Sequence, residues 1–179
     1  MRYPKRLEPT STERITFPSG REVDVPKTTP SFRPWQGRPP KDRYGNKPLL
    51  ECDDELVFAE LAILRLFERE GWEGRWIDSY RRKYRTGYWG PNVTKDLPAE
   101  QHAVLDSIRA KSGRRGGCFD VFCWRGGLAA FAEAKWTAHD RIRPSQRRWL
   151  EAALDVGIPL ESFLIVEWTI RETTPTMAV

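Results

Sequence analysis

The chain has 179 residues, 39% of them hydrophobic, and a net charge of +5, which suits one domain with a modest extension. No apolar run approaches the ~18 residues of a membrane span, and "MRYPKRLEPT" lacks a secretion signal's apolar stretch, so a soluble, cytoplasmic protein with no membrane partner is expected. Two histidines exclude a multi-histidine metal site. The three cysteines, Cys52, Cys118 and Cys123, lack paired ligand spacing and read as reduced and buried.

Residues 1–48 hold 11 Lys+Arg against 5 Asp+Glu and nine of the 14 prolines, while residues 49–179 hold 19 against 20. Proline removes backbone donors and favours extended chain. The first segment therefore reads as a basic, extended arm, with one short hairpin in "RITFPSGREVDV". A solvated tail without a partner fits as well. The folded domain is placed at residues 49–179.

That domain opens with "LLECDDELVFAELAILRLFEREGW", read as a helix capped by Asp53 or Asp54 and stopped by Gly71. Leu56, Glu60, Ile63 and Phe67 share one helical face, which puts Glu60 among apolar residues. A buried carboxylate needs a partner, either an arginine or a polar cleft. "GRWIDSYR" reads as a strand. The following "RRKYRTGYWGPNVTK" interleaves cations with aromatics. Arg81, Arg82, Lys83 and Arg85 are candidate phosphate contacts, with Tyr84 and Trp89 available to stack on bases. An ordinary strand end and loop would have the same composition. "PAEQHAVLDSIRAKSG" reads as a helix from Pro98 to Gly113. Arg114 and Arg115 of "RRGG" are further candidate nucleic-acid contacts.

The central unit is a hairpin, in which "CFDVFCW" pairs with "LAAFAEAKWT" across "RGG". A turn at Gly126-Gly127 pairs positions summing to about 253, which puts Asp120 opposite Glu133 and Lys135 two residues along the same face. Two facing carboxylates repel unless something binds between them. A divalent cation resolves this, and oxygen ligands suit Mg²⁺, with Mn²⁺ able to substitute. The alternative is that Glu133 and Lys135 face solvent on an edge strand while Asp120 caps a turn.

"FDVFCWRGGLAAFAEAKW" resembles the D-x(n)-ExK core of the PD-(D/E)XK nuclease superfamily. The order of motifs is similar to that of the VRR-NUC domain and of archaeal Holliday junction resolvases. "ELAILRLFEREGW" resembles their first helix, whose glutamate stands about three turns before a glycine, where Glu60 fits and Glu55 is the runner-up. "RPSQRRWLEAALDVGIPLESFLIVEW" resembles the continuation, where Gln146 opens a helix that ends in Gly157. The resemblance covers roughly residues 50–170, and Phe119 stands where the motif's name has proline. It implies a restriction-endonuclease-like α/β fold, a central mixed sheet flanked by helices. It also implies a Mg²⁺-dependent DNA nuclease of repair, recombination or mobile-element processing. Asp120, Glu133 and Glu60 would hold the ion, Lys135 would position the attacking water, and Gln146 would orient water or lysine. Cutting a four-way junction would require a homodimer with two sites. The competing classes are a non-catalytic nucleic-acid-binding module and a small-molecule phosphoesterase.

Overall fold

Two glycines set the centre of the fold. Gly126 and Gly127 adopt positive φ (53° and 80°), as a two-residue hairpin loop demands, and join strand β8 (Val121–Arg125) to β9 (Leu128–Trp136). The pairing runs from Arg125↔Leu128 to Val121↔Ala132, the register expected from the sequence. The computed structural model describes residues 3–41, 46–88, 93–114 and 116–171.

The other strands are β1 (Ser11–Thr16), β2 (Glu22–Thr28), β3 (Ser31–Pro34), β4 (Leu50–Cys52), β5 (Glu55–Val57), β6 (Glu73–Asp78), β7 (Lys83–Arg85) and β10 (Phe163–Ile170). The helices are α1 (Ala59–Glu68), α2 (Ala99–Ser112) and α3 (Pro144–Asp155). One mixed, curled sheet runs β5-β4-β3-β10-β9-β8-β6-β7, with β2 also pairing with β10 and with β1. The β10–β9 pair is parallel, with Ile165 beside Glu133 and Glu167 beside Lys135. This is the α/β class expected from the sequence.

Alternation divides β9 between two cores. Ala130, Ala132 and Ala134 face the layer that holds α1, with Leu61, Leu64 and Phe67. Phe131 faces the layer of α2 and α3 and stacks on Phe122 at 4.4 Å between ring centroids. Small residues on one side let α1 approach the sheet closely, while large rings fill the other side. Glu133 and Lys135 follow Phe131 on its face, at the end of the strand nearest α3.

Two expectations change. The segment 1–48 is not a free arm. The expected hairpin forms as β1 and β2, but β2 then pairs with β10 through Ile165↔Lys27, and β3 pairs with it further along through Thr169↔Ser31. Prolines did keep this chain extended, and the bare edge of β10 took it up. Several of its cations are consumed in ion pairs, Arg14 with Asp24, Arg21 with Asp155, and Lys27 with Glu13 and Glu167. The helix opening at residue 53 or 54 is also corrected. Asp53 and Asp54 have positive φ (52° and 59°) and form the tight turn between β4 and β5, so the helix begins only after Phe58. Aspartate tolerates both roles, and the strand edge offered by β3 decided between them. The cysteines match the reading, since all three are buried free thiols.

Among the described residues, no helix is long and apolar enough to cross a membrane.

Candidate active site

The end of the β8–β9 hairpin opens into a cleft of about 560 Å³ lined by Glu60, Asp120, Glu133, Lys135 and Gln146, with Lys47 among the other walls. All five residues singled out as catalytic candidates thus meet in one place.

Each arrives by a different local device. Asp120 ends the approach to β8. Its carboxylate accepts from the Ala134 N–H at 3.1 Å, and its carbonyl accepts from the Ile77 N–H at 2.7 Å, so it is held between β6 and β9. Glu133 and Lys135, only 1% and 5% exposed, point inward together because they are two residues apart on β9. Glu60 comes from the first turn of α1, where its carboxylate is ion-paired with Lys47. Glu55, the alternative, lies on β5 and is taken up by Arg65 in a two-pronged pair at 2.8 Å per contact.

Gln146 does two jobs at the start of α3. Its Oε1 accepts the Arg143 N–H at 2.9 Å, which caps the helix, and also the Lys135 ammonium at 3.2 Å. Its Nε2 donates to Glu133 Oε1, the same oxygen that lies 2.8 Å from Lys135 Nζ. One amide therefore satisfies a helix terminus and fixes an acid and a base.

The electrostatics are uneven. Burial, then the charges of Glu133 and Glu60, hold the Asp120 carboxyl well above its usual range. Burial also raises Glu133, against the opposing pull of Lys135 and Gln146. Burial lowers the Lys47 pKa, yet attraction to Glu60 leaves it raised overall. Glu133 Oε2 is buried away from every N–H donor and faces the Asp120 carboxyl, whose raised pKa lets it share a proton with Glu133 when no cation is present. Two facing buried carboxylates are costly, and either a shared proton or a bound cation relieves the repulsion. The donor set, carboxylate oxygens alone, fits a hard ion such as Mg²⁺. As the side chains stand, no three acidic, cysteine or histidine groups converge as a ready-made ion cage among the described residues. Lysines 47 and 135 occupy that neighbourhood instead.

Lys47 was not anticipated. It lies in the proline-rich segment, separated from the acid motif by more than seventy residues, and no spacing rule links them. Its Nζ also sits 5.8 Å from the centre of the Trp76 ring.

The nucleic-acid candidates divide. Arg85 is corrected to a structural role. It is 6% exposed, donates to Asp78 at 2.9 Å and lies over Trp76, because strand pairing turns it inward. Arg81 lines the cleft and stands 4.0 Å from Asp78. Arg82 and Lys83 are exposed beside a second hollow. Arg114 is exposed but lines neither hollow, and Arg115 and Trp89 lie outside the described residues. Tyr84 is committed to the fold, accepting from Arg109 at 3.1 Å and packing edge-on against His102.

Compared with known proteins, the chain matches no family model, and no curated protein and no solved structure is significantly similar to it.

Proposed function

We propose that the chain is a metal-dependent nuclease of the PD-(D/E)XK superfamily that hydrolyses DNA phosphodiester bonds. The observation that carries this reading is the buried pair of facing carboxyls, Asp120 and Glu133, in a cleft where Lys135, Glu60 and Gln146 also converge. Asp120 and Glu133 would hold a divalent ion, with Glu60, ion-paired with Lys47, as the third candidate ligand. A bound Mg²⁺ supplies positive charge to the phosphoryl oxygens and acidifies water.

The chain's own groups do the rest. The Lys135 ammonium is aimed by Glu133 and Gln146, which fix it at the carboxylate pair and free one donor for a water or phosphate oxygen. It orients the attacking water and offsets charge developing on phosphorus. Gln146 keeps that ammonium from swinging away. Lys47 brings a second cation to the same wall, where a scissile phosphate would sit.

The test is cleavage of linear, flapped, nicked and four-way DNA with Mg²⁺ or EDTA. Lys135→Ala lowers the cleavage rate by about 10²–10³, the usual loss for one donor to a developing charge. The same variant keeps most DNA affinity, since phosphate contacts are spread over many cations. Asp120→Asn loses cleavage and Mn²⁺ binding together. Undiminished cutting by both variants would refute the proposal.

A second reading has an observation in its favour. Two of the three carboxylates are already paired with lysines. A binding module that kept the fold without the chemistry would look so, and it would bind DNA with the same affinity in Mg²⁺ and in EDTA and never cut it.

A further inference from the structure

We propose that the loop between β6 and β7 is a base-stacking ledge, and that Tyr80 at its crest receives an unpaired base next to the reacting phosphate. The inference rests on the nucleic-acid part of the reading above and adds a substrate class: a strand with at least one unstacked nucleotide at the site.

The loop spans residues 79–82 and is closed by the Asp78↔Lys83 pair. It straddles two hollows. On one side Tyr80 and Arg81 line the cleft of the carboxylates. On the other, Arg82 and Lys83 line a second hollow, also of about 560 Å³, and Ile77, Asp78 and Ser79 form the wall common to both. Tyr80 follows this shared wall directly in sequence and lines the carboxylate side of it, so a chain bridging the two hollows passes the loop that carries it.

The loop is held in shape from inside. The buried Asp78 accepts the Arg81 N–H on one carboxylate oxygen at 3.0 Å and the Arg85 guanidinium on the other at 2.9 Å. The Ser79 N–H donates to the Ile77 carbonyl at 2.9 Å, and Arg82 takes a positive φ of 54° to turn the chain back. Ordering this backbone has already been met on folding, so a ligand need not supply it. Yet the aromatic ring displayed on this fixed loop is 93% exposed, the most exposed large hydrophobic side chain among the described residues. Every base offers a π-face of matching size, and exposed cations on the same loop track the backbone beside it. In a continuous duplex the neighbouring bases already cover each other's faces, so the ring gains contact only where a base is unstacked.

The test measures binding in EDTA, which separates it from cleavage. Fluorescence anisotropy would compare a single-stranded oligo-dT with a blunt duplex hairpin. Tyr80→Ala weakens single-strand binding by about tenfold or more and leaves duplex binding nearly unchanged. Tyr80→Trp retains the affinity, whereas Tyr80→Leu, apolar but without a π-face, does not. Arg82→Ala with Lys83→Ala weakens both ligands and flattens the salt dependence. Equal affinity of Tyr80→Ala and wild type for oligo-dT would overturn the proposal, as would equal losses on strand and duplex. If Tyr80 governs strand binding while no DNA is cut in Mg²⁺, the ledge stands and the nuclease reading falls.

Discussion

Asp120 illustrates a residue that costs the fold something. Its carboxyl is pushed up by burial and by Glu133 and Glu60, so ionising it opposes folding. A carboxyl whose native pKa is raised contributes stability that is fully present below the unfolded value near ~4 and lost as pH rises through the native value. At neutral pH the ion-free protein therefore carries a penalty at this position. Asp120→Asn removes the charge but keeps an oxygen to accept the Ala134 N–H. It is expected to raise the melting temperature of the ion-free protein by ~2–4 °C, or about 1 kcal/mol, while abolishing ion binding. Calorimetric melting in EDTA checks this, and a lower melting temperature would mean that Asp120 is held mainly by contacts that asparagine cannot make. At the same scale Lys47 shows a charge supplied from a distant part of the chain, its side chain set against Glu60.

At the scale of elements, the start of α3 depends on a close approach by the chain entering β8. Gly117 has φ +97°, and a Cβ built there would lie 2.2 Å from the Ser145 carbonyl oxygen, a backbone atom that cannot rotate away. Ser145 precedes Gln146, the residue that fixes Glu133 and Lys135. Gly117→Ala is thus expected to destabilise the protein by roughly 1–3 kcal/mol and to displace the first turn of α3. It should also lower cleavage although residue 117 touches no candidate catalytic group. Thermal melting and rate measurements on the same preparation check both effects, and a normal rate at reduced stability would separate Gln146's position from the packing of Gly117. The β4–β5 hairpin teaches a related lesson, since two aspartates before an apolar run are read as a helix start or as a tight turn according to what lies beside them.

Considered as a whole molecule, the N-terminal segment belongs to the sheet. Ile15, Phe17, Val25 and Phe32 are buried in its cores, and Phe32 lies 6.3 Å from Trp168 on β10. Burying one such side chain is worth about 1.5–3 kcal/mol, so losing four approaches or exceeds a typical domain's whole stability of ~5–15 kcal/mol. Deleting residues 1–34 should abolish cooperative unfolding by circular dichroism and leave β10 with an open edge prone to aggregation. A truncated chain that melts cooperatively near the full-length temperature would show that β1–β3 are dispensable. This reverses the expectation of a removable arm, because several of its cations serve ion pairs and its apolar residues serve the core.

Locally coded features were legible in the sequence. The Gly-Gly turn dictates the β8–β9 register, alternation puts Glu133 and Lys135 on one face, and 3.6-residue periodicity turns Glu60 inward. Each depends on neighbours within a few positions, whose sterics and period act before any tertiary contact forms. Residues that act through distant partners were not legible. Only the assembled sheet decided that β10 would take up β2 and β3, that Arg85 would be buried on Asp78, and that Lys47 would meet Glu60. It also set Tyr80, rather than Tyr84, in the open. Proline and basic residues suit an arm or an edge strand equally well, and the choice falls to whichever surface has unpaired backbone groups and apolar area left to cover.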